Sequence, residues 1–212
     1  MIDFEKIAHL LFPSPCIYCG GTSVEKEYGF CPSCRDAVPF GLKKSGDTWY
    51  LFDYDKKIAG MLKRAKYAGR PYAMKMLARL VGSLLGNKGV RPDIVAYVPM
   101  HRSDLGKRGY NQSRIAATEI ARSLDCRCYP GALRKIERNL SQAGLSKANR
   151  SKNVRGVYKA DNTVVCGKRV LLIDDIMTTG STINECSSEL LSAGAVFVES
   201  VVIAHTPYSR RK

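Results

Sequence analysis

Two adjacent carboxylates and a loop of hydroxyl side chains are the residues of this sequence best suited to chemistry. Asp174 and Asp175 directly follow the apolar run 170–173. The loop after them supplies the candidate ligand-binding residues Thr178, Thr179, Gly180, Ser181 and Thr182. Hydroxyls and loop amides can donate to phosphate oxygens, and the carboxylates can accept from two vicinal hydroxyls, directly or through hydrated Mg²⁺. The pattern predicts a ligand with both a phosphate and a vicinal diol; the alternative is an ordinary strand–turn–helix with a solvated acidic turn.

Four cysteines near the beginning of the sequence have the spacing of a metal site. They form two C-x-x-C pairs, Cys16 with Cys19 and Cys31 with Cys34, with eleven residues between the pairs. Two such pairs joined by a turn-rich segment bring four thiolates within tetrahedral reach of one zinc ion. A redox C-x-x-C usually needs only one pair beside a βαβ unit, and two disulfides are disfavoured in a reducing compartment. We therefore predict a structural zinc ion.

The sequence is strongly basic, with 34 Lys plus Arg against 19 Asp plus Glu and a net charge of +15. Such a charge favours polyanionic partners, nucleic acid among them, although a basic solvated surface is the alternative. Basic residues are concentrated in the segments 63–70 and 134–155. The candidate DNA-binding residues there are Lys63, Arg64, Lys66, Arg70, Arg138, Arg150 and Lys152.

Alternating strand and helix patterns are expected to position these residues. Apolar or aromatic runs predict strands at 49–54, 93–99, 170–173 and 196–204, and helical spacing predicts helices at about 55–65 and 71–85, after 112 and after the hydroxyl loop. Thr182 and Glu185 predict a capping box, and Gly194 predicts the end of that last helix. Residues 133–159 are predicted to form a flap. The repeated βα pattern predicts an α/β protein with a parallel, doubly wound sheet flanked by helices.

The sequence contains neither an apolar run long enough to span a membrane nor a secretory leader at residue 1. We therefore predict a cytoplasmic protein without an integral membrane segment. Its domains are predicted to be a small zinc-ribbon-like module with a preceding helix at 1–45 and the α/β domain at 46–212.

The stretch VLLIDDIMTTGST resembles the phosphoribosyl-pyrophosphate (PRPP) signature of the type I phosphoribosyltransferases. The resemblance implies that Asp174 and Asp175, the catalytic candidates, hold the ribose hydroxyls, and that residues 178–182 hold the 5′-phosphate. It also implies Mg²⁺ bound with PRPP, and a pyrophosphate cradle after the strand at 93–99 to which Arg102 would contribute.

The order of motifs along the chain is similar to that of the competence protein ComF family. The motifs are the four-cysteine module, VPMHRSDLGKRGYNQ, LSKANRSKNVRG and VLLIDDIMTTGSTINEC. This resemblance implies a phosphoribosyltransferase-like domain acting in natural transformation, where it handles incoming single-stranded DNA together with other DNA-uptake proteins.

Two functions remain open at this point. The protein either binds PRPP as a DNA-handling factor or turns PRPP over as a phosphoribosyltransferase (a glycosyltransferase) in nucleotide or base salvage. We favour the first and leave catalytic turnover open, because the sequence displays no acceptor pocket. A purely zinc-dependent scaffold is disfavoured by the complete PRPP signature.

Overall fold

A six-stranded sheet is the centre of the protein in this computed structural model, which describes residues 15–21, 29–38, 40–67, 71–101, 105–106, 109–136 and 156–206. The strands are β1 (Lys43–Ser45), β2 (Thr48–Asp53), β3 (Ile94–Tyr97), β4 (Arg127–Cys128), β5 (Leu133–Lys135), β6 (Tyr158–Ala160), β7 (Arg169–Met177) and β8 (Phe197–His205). The sheet has the order β1-β2-β8-β7-β3-β4, and all its pairs are parallel except β1 with β2. β5 and β6 form a separate antiparallel pair.

Helices cover both faces of the sheet. They are α1 (Pro32–Ala37), α2 (Lys56–Tyr67), α3 (Tyr72–Asn87), α4 (Gln112–Ser123), α5 (Asn162–Val165) and α6 (Ser181–Ser192). On β7, Leu171 and Ile173 pack into a core cluster with α2, α3 and α4, whereas Val170 and Leu172 pack into a second cluster with α5 and α6. A strand buried on both faces needs apolar residues at every position, which explains the continuous run in the sequence. The predicted α/β class with a mostly parallel sheet is confirmed.

Most predicted elements agree with the structure to within about two residues, and the exception is β7. The predicted strand stops before Asp174, but the structure continues it to Met177 because β8 keeps pairing with it. The predicted end of the last helix is correct, since α6 ends at Ser192 and Gly194 has φ +97°. The predicted helix before Cys16 lies outside the described residues.

The cysteine knuckle, defined here as residues 15–21 and 29–38, shares its core with the sheet. Ile17, Phe30 and Val38 are buried in the same cluster as the α2–α4 face. The ring of Phe30 meets that of Phe40 edge-on at 4.8 Å, and Phe40 lies 6.4 Å from Phe52 of β2. The domain boundary at residue 45 stays a prediction, but the apolar core is continuous across it.

The part of the chain described by the structure contains no helix that is both long enough and apolar enough to cross a lipid bilayer.

The contact between α3 and α4 makes Gly82 sensitive to substitution. A Cβ at Gly82 would lie 2.5 Å from Cβ of Ser123, a distance that requires the helices to move apart. Gly82→Ala should therefore lower the free energy of unfolding by about 1–3 kcal/mol. In urea unfolding, the variant should show a lower midpoint urea concentration with an unchanged m-value.

Gly86→Ala, in the same helix, is the matched control. Its Cβ would make only an ordinary contact, 3.8 Å from Cδ2 of Leu124. This change should leave the midpoint unchanged or raise it, because alanine is the better helix former. Equal midpoints for the two variants would show that α3 and α4 are not in close contact at Gly82.

Candidate functional site

The acidic pair lies where β7 extends past its neighbour β3. The pairing of these strands ends at Tyr97 and Ile173, whereas β8 remains beside β7 as far as Met177. Asp174 and Asp175 therefore lie half-buried at the carboxyl edge of the sheet. Ligands of open parallel sheets bind outside this edge, at the carboxyl ends of the strands.

Two hydrogen bonds orient the Asp174 carboxylate. Its Oδ1 accepts from Oγ of Ser113 and from the backbone N–H of Asp175, each at 2.9 Å. Ser113 is buried in the first turn of α4, a helix capped by Asn111, whose side chain accepts from the N–H of Arg114. A carboxylate held in this way loses less conformational freedom when it binds a ligand.

The hydroxyl loop ends at the N-terminus of α6. Gly180, the N-cap residue, has φ +80°, and a Cβ there would lie 3.6 Å from Sδ of Met177. The backbone conformation, rather than lack of space, therefore requires glycine. The hydroxyls of Thr179 and Ser181 lie 2.9 Å apart, and both residues are exposed beside the amides of the first helical turn. These amides and the helix dipole favour an anion at this point.

The predicted capping box of Thr182 and Glu185 is wrong. Gly180 caps the helix without a side-chain bond, and Oε1 of Glu185 accepts instead from the N–H of Val157 at 3.0 Å. Val157 precedes β6, so this bond joins the base of the predicted flap to α6. Tyr158, 7% exposed, packs into the cluster beneath α6. Residues 137–155 of the flap lie outside the described part of the chain.

The four predicted metal ligands converge on one point. The Sγ atoms of Cys16, Cys19, Cys31 and Cys34 all lie within 4.8 Å of one another, and those of Cys19 and Cys31 are 3.9 Å apart. Tetrahedral zinc with Zn–S bonds of about 2.3 Å places its sulfurs roughly 3.8 Å apart. The cluster therefore fits one zinc ion after small side-chain movements.

Backbone amides donate to two of the four cysteine sulfurs. The N–H of Cys31 donates to Sγ of Cys16 at 3.4 Å, and the N–H of Gly21 donates to Sγ of Cys19 at 3.3 Å. Burial raises the pKa of Cys16, but its amide donors outweigh burial and lower that pKa to about 6. Burial and the neighbouring thiols raise the pKa of Cys34. A divalent cation would supply the positive charge that lets all four thiols ionise.

The part of the chain that carries the acidic pair matches a known family model. The model describes the phosphoribosyl transferase domain, and the match covers residues 111–212. Over these residues the chain is similar to that domain. The matched range starts at Asn111, the cap of α4, and includes Ser113, the acidic pair and the hydroxyl loop.

Relatives match most of the chain. Competence protein F of Haemophilus influenzae is 26% identical over 189 residues, which cover 84% of this chain and 80% of the relative. DNA utilization protein YhgH of Escherichia coli K12 is 27% identical over 159 residues, which cover 73% of this chain and 70% of the relative. The resemblance to the competence protein ComF family is confirmed by these relatives.

Two solved structures can be set beside the chain. Glutamine PRPP amidotransferase from B. subtilis is 26% identical, with a TM-score of 0.46 over 66% of this chain and 30% of that one. The chain thus spans less than a third of that protein. Adenine phosphoribosyltransferase from Leishmania donovani is 12% identical, with a TM-score of 0.47 over 79% of this chain and 89% of that chain.

Of the predicted DNA-binding residues, the structure describes those on α2. Lys63 and Arg64 are exposed on α2, and Nη2 of Arg64 donates to the carbonyl of Tyr18 in the cysteine knuckle. Lys66 belongs to the same helix. The remaining predicted residues lie outside the described part of the chain: Arg70, Arg138, Arg150 and Lys152 for DNA, and Arg102 for PRPP.

Ser113 is the site residue that sequence reasoning misses. Its hydroxyl reaches Asp174 across 61 residues of sequence. The sequence does contain a signal for it. Ser113 lies in the first turn of the helix that follows β3, and the start of such a helix faces the carboxyl edge of the sheet, where Asp174 lies.

Proposed function

We propose that the chain binds PRPP through its transferase domain and acts in natural transformation by handling incoming single-stranded DNA. The observation that carries the PRPP part is the acidic pair where β7 extends past β3, followed by exposed hydroxyls at the start of α6. The names of the relatives, competence protein F and DNA utilization protein YhgH, support the DNA part. The cytoplasmic location stays a prediction.

In this proposal each part of the site binds one part of PRPP. The carboxylates of Asp174 and Asp175 accept from the ribose hydroxyls, with Asp174 held in position by Ser113. The hydroxyls of residues 178–182 and the first amides of α6 donate to the 5′-phosphate. Carboxylate oxygens at this edge suit a hydrated Mg²⁺, which would neutralise the pyrophosphate charge. The four cysteines hold structural zinc.

Turnover is tested separately from binding. Purified protein is incubated with PRPP and Mg²⁺, with single-stranded DNA or a panel of nucleobases as acceptor, and pyrophosphate release is measured. Release that depends on one acceptor makes the protein a phosphoribosyltransferase. PRPP binding without release under every condition supports a binding role.

Binding of single-stranded DNA is expected to weaken steeply as salt rises. Each neutralised phosphate releases counterions, so the logarithm of affinity should fall by about 0.7 per contact for each tenfold increase in salt. Fluorescence anisotropy with a labelled oligonucleotide measures this slope. A slope near zero, or no binding at low salt, would contradict the DNA part of the proposal.

The contribution of α2 to this binding can be measured with one double variant. Lys63→Gln with Lys66→Gln should reduce the slope by about 0.7–1.4. The matched control is Lys88→Gln with Lys168→Gln, which removes the same charge from exposed positions near the start of β7. The control should keep the wild-type slope within error. Equal slopes for the two double variants would remove α2 from the DNA site.

A further inference from the structure

A cleft opens between α3 and α4, apart from the acidic pair. Its volume is about 570 Å³, and it is lined by Lys75 of α3, Tyr97 of β3 and Arg114 of α4. The first turn of α4 separates this cleft from the PRPP signature. Ser113 is buried and bonds to Asp174, while the next residue, Arg114, is exposed and lines the cleft.

The cleft carries positive charge. Among its described lining residues the cations are Lys75, Arg114 and Arg122, and the only carboxylate is that of Glu119. Oε2 of Glu119 accepts from Nε of Arg79 at 2.9 Å, and Oε1 accepts from Nη1 of Arg122 at 3.0 Å. Burial raises the pKa of Glu119, but the two guanidinium groups outweigh burial and lower it. Since this carboxylate is shared by two guanidinium groups, the described lining residues offer no further carboxylate to Lys75 and Arg114.

The cleft also offers aromatic and apolar surface. Tyr97 and Tyr110 line it together with Met100 and Ile115, and Leu105, which also lines it, is 40% exposed. Phosphate-binding cations beside aromatic rings form the combination that recognises nucleotides, because the base stacks on a ring while the phosphate pairs with a cation. A simple inorganic anion would make no use of the rings, and a purely apolar ligand would leave the cations unpaired.

We propose that this cleft binds a nucleotide unit, with the base against Tyr97 and Tyr110 and the phosphate at Lys75 and Arg114. The unit belongs either to single-stranded DNA or to a free nucleotide; the first source rests on the proposed DNA-handling function. In either case the phosphate contacts Arg114, the residue next to Ser113, which orients Asp174. Binding in the cleft and binding at the PRPP site can therefore both act on the first turn of α4.

The test compares two double variants with equal change of charge. Lys75→Gln with Arg114→Gln removes the proposed phosphate contacts, and Lys88→Gln with Lys168→Gln is the control. The probes are a labelled oligothymidylate of about 12 nucleotides and free thymidine monophosphate. The cleft variant should weaken binding of whichever probe the wild type binds on the order of tenfold, whereas the control should change it by less than about twofold. Titration of PRPP with Mg²⁺ should be the same in all three proteins.

A cross-link locates the base directly. An oligonucleotide with 5-iodouracil is irradiated on the wild type, and mass spectrometry should find the adduct on the peptides that carry Tyr97 or Tyr110. Adducts confined to other peptides, or equal losses in the two double variants, overturn the cleft proposal.

The outcomes also distinguish failure of the cleft proposal from failure of the proposed DNA-handling function. Oligonucleotide binding that is unchanged by the cleft variant overturns the cleft proposal alone. Binding of the monophosphate without the oligonucleotide supports the cleft and overturns the DNA role. Binding of neither probe overturns both, while the PRPP titration still tests the transferase site independently.

Discussion

Replacement of both Asp174 and Asp175 by asparagine is expected to weaken PRPP binding roughly a hundredfold or more. Hydrogen bonds to charged groups contribute about 1.5–3 kcal/mol each, and the double variant loses two such acceptors for the ribose hydroxyls. The fold should survive, because both side chains lie at the sheet edge. The amide oxygen that replaces Oδ1 of Asp174 can still accept from Ser113 and from the backbone N–H of residue 175. Calorimetric titration of PRPP with Mg²⁺ measures the loss.

The matched control for this variant is Asp36→Asn with Asp125→Asn. Both carboxylates are exposed and outside the transferase signature, so the change of net charge is the same. The control should retain wild-type affinity. If the two double variants bind PRPP equally well, the signature no longer serves as a binding site and the PRPP part of the proposal fails.

Loss of the zinc ion is expected to destabilise the whole core rather than the knuckle alone. Structural zinc contributes on the order of 10 kcal/mol to the folding of small metal-dependent modules. Ile17 and Phe30 of the knuckle lie in the same apolar cluster as Leu51 and Val201 of the sheet, so a loosened knuckle exposes that cluster to water. Cys31→Ser should therefore lose the metal and unfold at a clearly lower temperature than the wild type.

Cys166→Ser is the control for the zinc variant, because Cys166 is exposed and remote in sequence from the cluster. It should retain one equivalent of zinc and a wild-type melting temperature. Metal analysis of protein purified without added zinc provides the second readout. A wild-type protein with far less than one equivalent would contradict the zinc assignment.

The parts of the site that the sequence predicts are those formed by contiguous residues. The acidic pair, the hydroxyl loop and the start of α6 follow one another, so local rules for a strand, a glycine turn and a helix N-terminus predict their order. Those rules ended the strand before Asp174, because its continuation depends on pairing with β8. The cysteine pairs were equally local, because metal geometry restricts their spacing.

The parts that the sequence does not predict depend on distant contacts. Ser113 reaches Asp174 only because β3 and β7 are neighbours in the sheet. Glu185 has the spacing of a capping box, but its carboxylate accepts instead from the backbone N–H of Val157, which is distant in sequence. The residues that line the cleft lie between 97 and 122 except for Lys75, and the sequence does not show that α3 brings Lys75 to that segment.

The position of β8 has a consequence for how the chain folds during synthesis. β8 lies between β2 and β7, and Nε1 of Trp49 donates to Oε1 of Glu199 across 150 residues. A nascent chain can form its helices early, but β2 has no parallel neighbour until residues 197–205 leave the ribosome. Such non-local pairing slows folding and leaves strand edges open to other chains. A chain that stops after residue 196 should therefore aggregate, because both β2 and β7 then lack the neighbour they share.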